Sequence, residues 1–219
     1  MEILLSAYEK TTHQLMFRVY AEPLPDTGRR QSHRAAHFAA LDLLGAALAE
    51  DFGVYHAVIR RSGLGKPQLI HDFLHMNISH CRGLAVAAAG RLPLGVDAEA
   101  PRSVPDSLIE KVCTPAEIAA IRAADEKNRA FSRFWTLKEA YAKWDGRGLA
   151  IGFASLGFTL SDEIIFHHPA AEAVQFVQLP YSDTHIVSLC YPSGSALCLT
   201  TPIPILQSRP NGGLIHADD

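Results

Sequence analysis

The sequence predicts an α+β protein built as two halves of about 100 residues each, and three observations carry that expectation. Short alternating or apolar runs fall into two groups, one in each half of the chain. Two segments, residues 31–50 and 127–145, carry the three- and four-residue apolar spacing of helices. A stretch bracketed by Pro101 and Pro105 interrupts the chain near its middle. The boundaries that follow are residues 1–103 for the first half, 104–205 for the second and 206–219 for a C-terminal tail.

Taken in order, "EILLSAY" and "HQLMFRVYAE" read as two short strands, and "PLPDTG" as a turn. The helix that follows runs from Gln31 to Glu50, with Phe38, Leu41, Leu44 and Leu48 on one face. Arg34 sits in its first turn, just after Arg29 and Arg30. "VYHAVIRR" reads as a strand and "SGLGKPQL" as a loop punctuated by glycine and proline. "HMNISH", "GLAVAAAG" and "LPLGVDAE" read as strands, the last two joined by a tight turn at Gly90–Pro93. In "CTPAEIAAIRAADEK", Thr114, Pro115 and Glu117 make a capping box with proline at the first helical position. A further helix spans Lys127 to Asp145 and stops at Gly146. The runs "FASLGFTL", "AVQFVQLP", "HIVSLCYP" and "ALCLTTP" predict an antiparallel sheet.

Composition narrows the function classes. With 48% hydrophobic and 20% charged residues the chain is an ordinary globular one. A net charge of −3 provides no basic field for a nucleic acid, so an anion site must be local. The four cysteines form no CxxC pair, which points to reduced thiols in the cytoplasm rather than a disulfide frame or a zinc knuckle. No run of 18 apolar residues occurs, so no membrane span is expected, and the N-terminus lacks the apolar core of a signal peptide.

Three clusters carry candidate chemistry. Asp97 and Glu99 are two apart on a strand, so both carboxylates project from one face. Paired acids there either run out into solvent or await a hard cation such as Mg²⁺. Glu139 and Lys143 are four apart on a helix, which makes them a surface ion pair or a third carboxylate and a lysine for a metal-bound phosphate. Asn77, Ser79 and His80 gather polar groups beside an apolar strand, and His80 can donate to a phosphate. Lys66 and Pro67 lie in a loop that lacks the GxxxxGK[ST] pattern of a P-loop, so ATPase chemistry is not inferred.

The order of the fragments is more specific than any one of them. "GKP", "NISHC", "GVDAE" and "FWTLKEAYAKWDGRGL" resemble, in that order, the signature motifs of the Sfp-type 4′-phosphopantetheinyl transferases. The resemblance runs from about Arg34 to Leu149. It implies a pseudo-twofold pair of α+β halves, each an antiparallel sheet on a long helix, with a ligand cleft between them. It implies Mg²⁺ on Asp97, Glu99 and Glu139, and Lys143 on the pyrophosphate of coenzyme A with Lys138 nearby. His80, Arg34 and Ser79 then serve the coenzyme A phosphates, and Lys66–Pro67 its adenine side. The reaction so implied moves phosphopantetheine from coenzyme A to a serine of an apo acyl or peptidyl carrier protein, releasing 3′,5′-ADP, with Glu139 and Lys143 as catalytic groups in a monomer. A Mg²⁺-dependent phosphohydrolase and a non-catalytic relative that binds a carrier protein are the alternatives. The chain departs from the family pattern at Cys81, where serine is usual, at Ala98, where a larger aliphatic is usual, and at Trp144. The basic segment upstream is reduced to Arg29 and Arg30.

Overall fold

A computed structural model describes residues 1–25, 33–70, 73–179, 181–194, 197–201 and 206–207. The elements of the first half are β1 (Glu2–Glu9), β2 (Leu15–Pro23), α1 (His33–Phe52), β3 (Ile59–Arg61), β4 (Pro67–Leu69), β5 (His75–Cys81), β6 (Leu84–Gly90) and β7 (Gly95–Glu99). Then come α2 (Asp106–Val112), α3 (Pro115–Ala123), α4 (Lys127–Asp145), β8 (Gly157–Leu160), β9 (Ile164–His167), β10 (Val174–Leu179), β11 (Ile186–Pro192), β12 (Leu197–Thr200) and β13 (Leu206–Gln207). The α+β class with antiparallel sheets is as the sequence predicts. No described helix is long and apolar enough to cross a membrane.

Two sheets organise the chain. One has the order β12-β1-β2-β6-β5, the other β13-β10-β11-β7, and both are antiparallel throughout. Their inner faces share one core, in which Leu5, Phe17, Val19 and Val86 meet Val96, Val177, Val187 and Leu189. The period-two alternation of a strand explains β6. Leu84, Val86 and Ala88 belong to that shared core, whereas Ala87 and Ala89 pack with Leu43, Leu44, Ala47 and Leu48 of α1. A strand buried on both faces reads as an uninterrupted apolar run, and all seven residues of "LAVAAAG" are buried. On the second sheet, Phe131, Phe134, Leu137 and Tyr141 of α4 pack with Phe176 and Cys190 in a core of their own. The layers therefore run helix, sheet, sheet, helix.

Local signals fix the helices of the second half. Thr114 caps α3 by accepting from the Glu117 amide, and Glu117 reaches back to the Thr114 amide, as the motif predicts. Gly146 ends α4 in the left-handed region at φ 93°, where a side chain would be strained.

Several expectations are corrected. The Gly90–Pro93 turn does not close a hairpin: β6 pairs with β2 and β5, and β7 pairs with β11 in the other sheet. Gly90 is instead a close-approach glycine, because a Cβ there would lie 2.3 Å from Phe17 Cβ. The four C-terminal runs do not form one sheet. β8 pairs with β9, β10 and β11 pair with each other, and β12 returns to β1. Only Pro67–Leu69 of the expected loop is a strand, paired with β3. Phe38 is 49% exposed, and the buried face of α1 is Ala36, Ala40, Leu43, Leu44, Ala47 and Leu48. Residues 206–207 of the expected tail pair with β10, while residues 208–219, with Arg29 and Arg30, lie outside the described residues.

Candidate active site

The site forms where the edge strands β5 and β7 of the two sheets come together. They are joined by side chains rather than by a backbone ladder. Asn77 Oδ1 accepts from the Val96 amide at 2.9 Å, and Ser79 Oγ accepts from the Ala98 amide at 3.2 Å. Two residues of one face of β5 thus satisfy two successive outward amides of β7, which would otherwise be buried without partners. This is the structural work of the N-x-S pair in "NISHC".

α4 lies directly on β7 at Gly95. A Cβ there would lie 2.0 Å from the Ala140 carbonyl oxygen and 2.4 Å from the Trp144 amide nitrogen, so only glycine admits the helix. Two residues further along the strand, Asp97 Oδ1 receives the Lys143 ammonium at 2.7 Å and the Ser79 hydroxyl at 2.8 Å. Lys143 Nζ also donates to Ser79 Oγ at 3.0 Å and to the Val96 carbonyl at 2.9 Å. The hydroxyl of Ser79 therefore gives one bond and takes two, all within the protein. It is a support for Asp97 and Lys143 rather than the phosphate contact expected of it.

The acids crowd one another. Asp97 is 6% exposed, and its Oδ2 is buried with no hydrogen-bond partner. Burial, and then the Asp97 charge, push Glu99 up to about 7, against the pull of Arg102, Lys143 and a hydrogen bond from Trp135. Glu139 is likewise pushed up to about 7 by burial, then by Asp97 and Glu99, with Lys143 opposing. Among the described residues no three His, Cys, Asp or Glu side chains are drawn to the spacing of a metal cage. The donor set nevertheless suits Mg²⁺, which takes one or two carboxylates and completes its shell with water and substrate phosphate. The unpartnered Asp97 Oδ2 is a hard oxygen of that kind.

Other expected residues divide into those near this cluster and those elsewhere. His80 is half-buried and meets His33 edge-on at 4.5 Å and His37 at 5.6 Å between ring centroids. Burial lowers its pKa, with His33, His37 and Lys143 adding to the effect and Asp97 opposing it. Arg34 is exposed, its guanidinium 5.5 Å from the Phe38 ring centroid. Lys66 donates to the Trp144 carbonyl at 2.9 Å, so its ammonium caps the C-terminal end of α4. Pro67 begins β4 beside it. Cys81 is a weak nucleophile here, its thiol pushed up to about 12 by burial and by Glu99 and Asp97.

Lys138 does not join the site. Its ammonium is fully buried in the core of the second half, 2.8 Å from Glu117 Oε2 and bonded to the Phe153 and Leu156 carbonyls. Five helical residues separate it from Lys143, a rotation of about 140°, so the two lysines leave α4 on different faces. Phe134 and Tyr141, at four and three residues' distance, mark that face as apolar, which is the signal that places Lys138 inside. Glu117, its partner, also accepts from the Phe158 amide at 2.8 Å and goes unnoticed in the sequence beyond its capping role.

Asp97 pairs with Lys143, Glu99 and Glu139 act on the same charges, and one hard oxygen is unpartnered, a donor set of the class that suits a metal-bound phosphate. Comparison with known proteins narrows that class. The sequence model of the 4′-phosphopantetheinyl transferase superfamily matches residues 93–190, which span β7, α4 and β11. The chain is 29% identical over 163 residues to the 4′-phosphopantetheinyl transferase ffp of Bacillus subtilis, covering 71% of this chain and 72% of that one. A second 4′-phosphopantetheinyl transferase of Bacillus subtilis is 28% identical over 167 residues, 73% of each chain. The 4′-phosphopantetheinyl transferase HetI of Nostoc sp. is 33% identical over 129 residues, 54% of each. The chain is similar to the 4′-phosphopantetheinyl transferases, two of them over about seven tenths of its length.

Proposed function

We propose that this protein transfers the 4′-phosphopantetheine arm of coenzyme A to a serine of an apo acyl or peptidyl carrier protein, with Mg²⁺ as cofactor and 3′,5′-ADP as the second product. The observation that carries the reading is the meeting of Lys143 with Asp97 beside Glu99 and Glu139, in a chain whose relatives bear that activity in their names.

Asp97, Glu99 and Glu139 would hold the Mg²⁺, which when bound supplies positive charge against the pyrophosphate. Lys143 is 26% exposed at its side chain, so it keeps one side open to a phosphate oxygen while Ser79 and the Val96 carbonyl fix its place. The carrier serine oxygen attacks the β-phosphorus, and the bond from that phosphorus to the α-phosphate oxygen breaks. The electron pair leaves with 3′,5′-ADP, where Lys143 stabilises the growing charge. Glu139 would also take the serine proton as general base.

His80 and Arg34 serve the phosphates of coenzyme A in this reading. Pro67 stays on the adenine side, and Lys66 takes the different task of fastening its hairpin to α4. The layers become a pseudo-twofold pair with the ligand cleft between them, each sheet carrying one long helix, in a chain that works as a monomer. The four cysteines, all free, support a reducing cytoplasm.

Intact-protein mass spectrometry of an apo carrier protein incubated with this protein, coenzyme A and Mg²⁺ tests the reading. A gain of one phosphopantetheine arm, abolished by a chelator, is the expected result. Phosphate release from coenzyme A without any carrier, or unmodified mass across several unrelated carriers, would overturn it.

A further inference from the structure

We infer that Thr136 and Ser188 are positioning residues of this site: with Gln178 and Arg133 they close a ring of hydrogen bonds that sets where α4 lies on its sheet, and so where Lys143 meets Asp97. Its bearing on catalysis rests on the reading of the site given above.

One row of polar side chains crosses the second sheet. Asp97 of β7 stands opposite Ser188 of β11, and Ser188 stands opposite Gln178 of β10, so the three share one face of the sheet. That face is the one α4 covers. Lys143 gives to Asp97 at 2.7 Å, the Thr136 and Ser188 hydroxyls lie 2.7 Å apart, and Arg133 Nε gives to Gln178 Oε1 at 2.8 Å. Around the row the interface is apolar, with Phe131, Phe134, Leu137, Ala140 and Phe176. Apolar packing tolerates more than one setting of a helix on a sheet, whereas a fully satisfied polar cluster specifies one.

The ring is satisfied in one sense only. Arg133 Nε can only donate, so the Gln178 oxygen faces it, and the Gln178 amide nitrogen gives to the Arg133 carbonyl at 2.9 Å and to Ser188 Oγ at 3.0 Å. Ser188, with one acceptor position so filled, gives its own proton to Thr136. Thr136 in turn gives to the Arg133 carbonyl at 3.2 Å, where the ring closes. Thr136 and Ser188 are 0% exposed and Gln178 is 3% exposed, so a displaced helix would leave these groups buried and unpaired. Thr136 precedes Lys143 by about two helical turns on nearly the same face of α4, and Glu139 falls between them. Gly95 admits the helix at Ala140 and Trp144, and the ring holds it earlier along its length. Two fixed points set the roll of α4 as well as its distance from the sheet.

The test labels the lysine amines of the full-length protein with acetic anhydride and follows Lys143 and Lys138 by peptide mass spectrometry, in wild type, Thr136→Val, Thr136→Ser and Thr136→Val/Ser188→Ala. This readout needs neither coenzyme A nor Mg²⁺. Valine keeps the shape of threonine without its hydroxyl, and serine keeps the hydroxyl. The double variant leaves no hydroxyl unpaired, so its Tm should lie within about 2 °C of wild type. Its Lys143 should nevertheless label roughly fivefold faster, the factor that matches one net hydrogen bond, while Lys138 in its buried pair labels as in wild type. Carrier modification by the same variant should fall about 10- to 100-fold. Thr136→Ser should keep Lys143 labelling within about twofold of wild type, because the hydroxyl and its bonds remain. Lys143 labelling at the wild-type rate in the double variant overturns the inference and leaves the ring a packing feature, and so does a rise matched at Lys138, the mark of general loosening. Where the double variant does not fold, Thr136→Val must label faster than Thr136→Ser at Lys143, and equal labelling of the two overturns the inference. Should wild type leave every carrier unmodified, the transferase reading falls, and the labelling still decides whether the ring places Lys143.

Discussion

Replacing Gly95 by alanine tests whether the approach of α4 to β7 builds the site. The added Cβ would sit 2.0 Å from the Ala140 oxygen, 2.4 Å from the Trp144 nitrogen and 2.9 Å from Trp144 Cβ, against the 3.4 Å of an ordinary contact. The shortfall at the Ala140 oxygen is 3.4 − 2.0 = 1.4 Å. Two of the three obstacles are backbone atoms of one helical turn, so no rotamer change relieves the clash and the helix must move. Overpacking costs about 1–3 kcal/mol, and a backbone obstacle puts this case near the upper end. For a chain of this length that corresponds to a fall in Tm of roughly 6–12 °C. Lys143 precedes Trp144 directly, and Asp97 is two residues beyond Gly95, so the same movement opens their 2.7 Å contact. A misplacement of about 1 Å at a reacting centre can lower a rate about 100-fold. Thermal unfolding by circular dichroism and carrier modification by mass spectrometry report the two effects. A Tm within 2 °C of wild type (about 0.5–1 kcal/mol) together with a transfer rate within about twofold would refute the close packing of helix on strand.

Two further outcomes follow from the charged groups. Lys138→Met should cost about 3–5 kcal/mol, because Glu117 is then left buried without its counter-charge, and the double variant Lys138→Met/Glu117→Gln should recover part of the loss in urea unfolding. Equal stability of the single variant and wild type would contradict a buried pair. Glu99 and Glu139 are raised from 4.5 to about 7, so between those values the folded state holds more protons than the unfolded chain. Their contribution to stability is complete below about 4.5 and is lost as pH rises through about 7. In chelator, the Tm difference between Glu139→Gln and wild type should therefore grow in favour of the variant from pH 5 to pH 8, a range that brackets the raised value. A difference that shrinks over that range would contradict the raised pKa.

The elements of this fold were legible where their signals are local. The capping box at Thr114, the left-handed stop at Gly146 and the short apolar runs of β1, β2, β10 and β11 each depend on a few neighbouring residues. Pairing was not legible in the same way, because a strand's partner depends on where distant segments can close. The apolar run before Asp97 offered β6 as a neighbour, and the structure pairs β7 with β11, nearly 90 residues downstream, about twenty times the length of a hairpin loop. The helix α2 carries no side-chain N-cap, and it escaped the reading.

The site divides along the same line. Strand and helix periods put Asp97 with Glu99, and Glu139 with Lys143, from the sequence alone. Whether the two pairs meet depends on Gly95, whose missing side chain admits α4, and on Asn77 and Ser79, whose side chains replace a backbone ladder between the two sheets. Gly95 offers no group for a search of catalytic residues to find, and Asn77 and Ser79 stand out in the sequence for their polarity rather than for this bridging role. Lys138 shows the opposite error, a charged residue whose chemistry attracted notice while its helical face was apolar. Polarity alone misassigned it, and the spacing of Phe134 and Tyr141 around it decides the matter. In this chain the helical face on which a charged residue sits determines its role, and the small and neutral residues determine which faces meet.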